Sequence, residues 1–302
     1  MLTDMPSDFD PWVVVATVAD ERRLRELSLV LTARGLEHRK LAGSDGWQLW
    51  VPARSAAQAA AELAAYQAEN ARRVGQRELA TVGSGWSGTA AYVVTLLLVF
   101  IALHADWLDR DWLAIGRLDA GRVLAGEWWR TVTALTLHVD LDHLLGNLAF
   151  GAFFGYFAGR YFGCGVGWLA IVAAAAAGNT FDALVQAPQH RAIGASTAVF
   201  AALGLLSAYT WRRGFWKATP WRARITPIVA GLGLLAFTGT AGENTDLTAH
   251  LGGFVMGFAA GLALARFASL KVLRSRRAQA WFAGAAIVIV AGAWVWGLVA
   301  VG

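Results

Sequence analysis

The sequence predicts an α-helical polytopic membrane protein with a small α+β domain at its N-terminus. Three observations carry this. Apolar residues make up 57% of the 302 positions and charged residues only 16%, where a soluble globular protein carries about a quarter charged. The fifteen tryptophans suit bilayer interfaces, which favour indole rings. From residue 89 onward, apolar runs alternate with short polar loops, most of them close to the ~20 residues that span a bilayer core.

Residues 1–75 carry no long apolar run. Trp12 to Thr17 reads as a buried strand. Asp20 is placed to cap a helix through Arg34, with apolar Leu24, Leu27, Leu29 and Leu31 along it and Gly35 at its stop. Short strands follow near His38–Leu41 and Trp47–Val51, joined by a turn at Gly43–Gly46, then an alanine-rich helix over about Ser55–Asn70. The expected module is β-α-β-β-α. It carries no catalytic constellation, so a docking or regulatory role and an inert appendage both fit.

After a linker over 76–88, candidate spans cover 89–106, 141–160, 165–184, 194–211, 223–241, 247–266 and 280–300. Basic residues cluster at one set of ends: Arg72, Arg73 and Arg77 before the first span, Arg212, Arg213, Lys217, Arg222 and Arg224 after the fourth, and Arg266 to Arg277 around the basic loop 268–279. The positive-inside rule makes that side cytoplasmic. The N-terminus is then expected inside and the C-terminus outside, in the plasma (inner) membrane. The net charge of +5 belongs to these anchors and does not call for nucleic acid. Cys164 is the single cysteine, which excludes an intrachain disulfide and a cysteine metal cluster. The acidic N-terminus lacks the pattern of a secretory signal.

Polar side chains inside a span are costly and invite a functional question. Three clusters stand out. Ile193-Gly-Ala-Ser-Thr-Ala-Val-Phe200 opens the fourth span. Gly194 permits close backbone approach, and Ser196 sits beside the unpaired N–H groups of a helix start. Alone, such a serine is more often a packing residue. In the sixth span, His250 precedes Gly253, Gly257 and Gly261, a bare face that admits a neighbouring helix. That approach would bring a serine and a histidine to the ~3 Å that proton transfer needs, although a glycine packing stripe with a satisfied histidine also fits. Entering the second span, His143 and Asn147 share a helix face and can donate to an anionic oxygen. His138 and His143 could instead bind a metal, but a spacing of five is poor for a helical pair and no third ligand is evident; no metal and no cofactor are expected. Asp140 or Asp142 can cap this helix. Phe200, one turn from Ser196, is placed to stack on His250, and Asp246 to cap the sixth helix rather than relay charge.

Together these residues resemble the rhomboid family of intramembrane serine proteases. The family's Gly-x-Ser falls on Gly194 and Ser196, its Ala-His-x-x-Gly-x-x-x-Gly on Ala249, His250, Gly253 and Gly257, and its His-x₄-His-x₃-Asn on His138, His143 and Asn147. Its loop pair Trp-Arg is matched by Trp129 and Arg130, with Glu127 at the nearby acidic position. The resemblance covers roughly 89–267. It implies a six-helix catalytic core, with 280–302 as a seventh, extra helix. It further implies cleavage of transmembrane segments of single-pass proteins, with Ser196 as nucleophile, His250 as base, and His143, Asn147 and the Ser196 N–H as oxyanion donors. Glu127, Trp129 and Arg130 would brace the loop 107–139, and His138 would either help retain water at the mouth or make a purely structural hydrogen bond. Thr197 departs from the family, which has glycine there, and a β-branched residue could narrow the substrate pocket or shift the oxyanion donors. A pseudoprotease that binds transmembrane helices without cutting them is the alternative. A transporter would call for internal repeats, and none is seen. Oligomeric state is not legible.

Overall fold

The computed structural model describes residues 10–43, 46–73, 81–213, 246–267 and 273–301, with Val229 and Gly233 besides. The expected span 223–241 and most of the basic loop after the fourth span lie outside the described residues. The chain divides into two compact units, Met1–Gln76 and Arg77–Gly302.

The first unit runs β1 (Trp12–Val18), α1 (Glu21–Ala33), β2 (Arg39–Gly43), β3 (Gly46–Pro52) and α2 (Ala56–Arg73). The Asp20 carboxylate caps α1 by accepting from Arg23 N at 2.8 Å, which satisfies one of the orphan donors of a first turn. Gly35, at φ +68°, turns the chain out of the helix. The sheet is antiparallel in the order β1-β3-β2. Leu24, Leu27 and Leu31 of α1 meet Leu49 and Val51 of β3 and Ala59 and Leu63 of α2 in a buried core.

The second unit is helical: α3 (Trp86–His104), three short helices α4 (Trp112–Gly116), α5 (Ala120–Leu124) and α6 (Arg130–Thr133), then α7 (Leu141–Phe162), α8 (Cys164–Val185), α9 (Ser196–Arg213), α10 (Leu247–Phe267) and α11 (Arg276–Val301). A two-residue pairing of β4 (Leu118–Asp119) with β5 (Arg191–Ala192) ties the loop after α3 to the segment that enters α9. Among the described residues, four helices are long and apolar enough to cross a membrane: α3, α8, α10 and α11. They belong to a membrane protein, since α3 leaves Val94, Leu97, Leu98 and Ile101 exposed and α11 leaves Ile287, Val288, Val295 and Val299 exposed. Faces of that kind are stable against lipid and not against water. The helices α7 and α9 fall outside the apolar set because they carry the polar residues of the site. Asn147, Thr197 and Ser207 are buried in the bundle, and Arg160, Arg212 and Arg213 sit toward the helix ends.

Candidate active site

Among the described residues, α9 and α10 pack backbone against backbone, and glycine makes this possible. A Cβ on Gly253, Gly257 or Gly261 would overlap the carbonyl oxygen of Thr197, Ala201 or Leu205 respectively. Each step advances four residues on both helices, so the two backbones run in register. At the top of this ladder Ser196 Oγ lies 2.8 Å from His250 Nε2. The Phe200 ring packs on the imidazole with centroids 4.6 Å apart. The His250 Nδ1 has no hydrogen-bond partner, so among the described residues no carboxylate orients the ring from behind. Asp246 accepts from Ala249 N at 2.9 Å as the cap of α10. Thr197 is buried, and its methyl sits against Gly253 in the helix interface. The bulk that departs from the family pattern thus fills the α9–α10 seam.

Beside Ser196, the entry to α9 is pinned on both sides. Gly194 has φ +120°, and its missing Cβ leaves room for the His143 ring; a side chain there would be strained and would displace the histidine. The Gly194 N–H donates to Ala134 O at 2.9 Å. His143 enters on the first turn of α7, which Asp140 caps by accepting from His143 N at 2.7 Å. One turn later, Asn147 Nδ2 donates to His138 Nε2 at 3.1 Å and to His143 O at 3.2 Å. Tyr92 of α3 holds the same turn by donating to Asn147 O at 2.8 Å. Ser196 itself is half-buried, with His250 against its hydroxyl and with His143 and Asn147 beside Gly194, two residues before it.

His138 joins these elements from inside the fold. It is fully buried, and its Nε2 also accepts from Ala195 N at 3.3 Å. It therefore bolts the serine-bearing segment to Asn147 and does not stand at a solvent mouth. Burial, followed by the charge of His143, pushes its pKa down to about 4. With Nε2 accepting, its proton is on Nδ1.

The loop between α3 and α7 is a built structure. Arg130 is fully buried. Its Nε donates to Glu127 at 2.6 Å and its Nη1 to Ala114 O at 2.8 Å and Arg117 O at 3.0 Å. Trp129 Nε1 donates to Ile115 O at 3.3 Å. A guanidinium that closes three loop carbonyl and carboxylate contacts substitutes for regular secondary structure. Three residues that hold this region escaped the sequence reading. Asn179 of α8 donates to Thr131 O at 2.8 Å. Trp294 of α11 donates to Thr136 Oγ1 at 3.0 Å and lies against Trp112. At the other end of α11, the Gln279 side chain accepts from Gly165 N at 2.8 Å and donates to Phe162 O at 3.0 Å, capping the start of α8. Asp182 was also passed over, although a carboxylate inside an apolar run is a signal in its own right. It lies with His190 and Asp246, whose Oδ2 atoms flank His190 Nε2 at 3.1 and 2.8 Å.

Comparison with known proteins places this unit. Residues 125–267 match the family described as the Rhomboid domain. The chain is 33% identical over 180 residues, 58% of its length, to the rhomboid protease GluP of Bacillus subtilis, covering 34% of that protein. It is 32% identical over 157 residues, 49% of its length, to rhomboid-like protease 2 of Toxoplasma gondii, covering 52% of it. It is 27% identical over 178 residues, 58% of its length, to rhomboid-like protease 3 of the same organism, covering 66%. The matches thus span between a third and two thirds of these curated relatives' own lengths.

Proposed function

We propose that this chain, whose residues 125–267 match the Rhomboid domain, is a member of the rhomboid family and an intramembrane serine endopeptidase that cleaves transmembrane segments of single-pass membrane proteins. The observation that carries this is the 2.8 Å approach of Ser196 Oγ to His250 Nε2 between α9 and α10. The names of its relatives as proteases support it.

In this reading Ser196 attacks the scissile carbonyl while neutral His250 takes its proton. His250 then gives that proton to the leaving amine, and water hydrolyses the acyl-enzyme with His250 again as base. Packing on Phe200 orients the imidazole, so the pair acts as a dyad. The developing oxyanion is met by the Ser196 N–H at the head of α9, by His143 and by Asn147, a preorganised set of donors. Asn147 would turn one of its two hydrogens from its present acceptors toward the oxyanion, while His138 keeps that side chain in place. A helical substrate hides its carbonyls, so the cut is expected where Gly, Pro or polar residues loosen the helix, after a small residue. The catalytic core is a six-helix bundle over 89–267, with α11 as its seventh helix and residues 1–75 on the cytoplasmic side of the plasma membrane. The alternative is a pseudoprotease that binds transmembrane helices without cutting them, which Thr197, buried in the helix seam in place of the family's glycine, favours.

The test is incubation of the purified protein with a transmembrane model substrate and with a serine-reactive phosphonate. Cleavage and labelling are expected in the wild type and absent in Ser196→Ala and His250→Ala. Labelling or cleavage that survives Ser196→Ala overturns the assignment; a wild type that binds the substrate but neither cuts nor labels is a pseudoprotease.

A further inference from the structure

The second polar cluster of the helical unit lies outside the dyad and the oxyanion donors. Asp182 comes from the last turn of α8, His190 from the segment leading to α9, and Asp246 from the cap of α10. One ligand atom from each falls within 4.8 Å of the other two. Asp182 is fully buried, and neither of its carboxylate oxygens accepts a hydrogen bond of good geometry from the described residues. The single hydrogen that His190 Nε2 can carry is taken by Asp246 Oδ2, 2.8 Å away, while Asp182 Oδ2 waits at 3.1 Å.

From this we propose that Asp182, His190 and Asp246 form a divalent-cation site, with Zn²⁺ the best-matched ion. One imidazole and two carboxylates make the three-ligand set that leaves a position on zinc for water. Ligands held ~2.0–2.2 Å from zinc in a tetrahedron stand ~3.3–3.5 Å apart; the observed 2.8 and 3.1 Å need an opening of a few tenths of an ångström. The ion would take the place of the His190 proton, released on binding, and would give the buried Asp182 carboxylate a full positive charge to face. The surroundings hold one of the ligands in place. Asp246 Oδ1 is fixed by Ala249 N. Gln186, beside Asp182, donates to Thr248 Oγ1 at 3.1 Å. A bound ion would clasp the end of α8, the approach to Ser196 and the start of α10, four residues from His250.

The experiment uses the full chain in detergent micelles, stripped by chelator and titrated with Zn²⁺ by calorimetry, with Ca²⁺ as a hard-ion comparison. One Zn²⁺ per chain is expected, with a rise in thermal midpoint and with visible d–d absorption when Co²⁺ is substituted. Asp182→Asn and His190→Gln should each weaken Zn²⁺ at least about tenfold. His190 is partly exposed and its replacement is the less disruptive. If Asp182→Asn unfolds, His190→Gln decides alone. No Zn²⁺ binding below millimolar concentration overturns the site, as does binding that His190→Gln leaves unchanged. A Ca²⁺ affinity equal to that for Zn²⁺ overturns the choice of ion. These readouts need no proteolysis, so they stand apart from the proposed activity.

Discussion

At the scale of single residues, the site is a set of side chains with one duty each. Asn147 links His138, His143 and the proposed oxyanion. Its replacement by alanine is expected to lower kcat about 10²–10³-fold, the usual loss for one such donor, while phosphonate labelling slows and persists. A kcat within twofold of wild type would remove Asn147 from the oxyanion site. His138 makes stability depend on pH. Its pKa is about 4 in the folded protein, against about 6.5 when unfolded. The unfolded chain therefore takes up a proton that the folded chain refuses. The stabilisation from neutral His138 is complete above pH 6.5 and is lost as pH falls toward 4, by on the order of 3 kcal/mol. Unfolding midpoints measured between pH 7 and 4 should fall along that window, and more shallowly in His138→Gln. Much of this was legible in the sequence, because intramembrane histidine and asparagine have few other reasons to be there. The partners of His138 were not, since which of several polar atoms it meets depends on how the segment 186–195 returns across α7.

At the scale of helices, contact is governed by where side chains are missing. Gly257 faces the Ala201 carbonyl with no room for a Cβ, whereas Gly292 of α11 has nothing within 4 Å. Gly257→Val should lower the thermal midpoint, with a cost of about 1–3 kcal/mol or more, and Gly292→Ala should leave it unmoved. Equal midpoints in both variants would show that the seam does not hold the bundle. The glycine repeat announced this interface in the sequence, but its partner did not show, because α9 offers only backbone oxygens to it. The same limit hid the contacts that α11 makes. Trp294 and Gln279 bond to groups at opposite ends of the bundle, and a tryptophan in an apolar run reads as an interface residue before it reads as a brace.

At the scale of the whole molecule, the two units each bury a core of their own. A chain lacking residues 1–75 is therefore expected to keep the labelling of Ser196, measured with the phosphonate in micelles; loss of labelling with the helical unit still folded would give the first unit a part in the active state. The alternation of strand and helix made that unit readable, through caps and turns that act locally. The loop 107–139 resisted reading because Arg130, not a periodic pattern, sets its path. The ladder between α9 and α10 carries one more implication. Its steps repeat every four residues on both helices, so the next arrangement that clears the carbonyls lies a full turn, ~5.4 Å, away. The Ser196–His250 separation is in that sense quantised. It cannot be adjusted by small sliding of one helix on the other, and control over this pair has to act on what reaches Ser196.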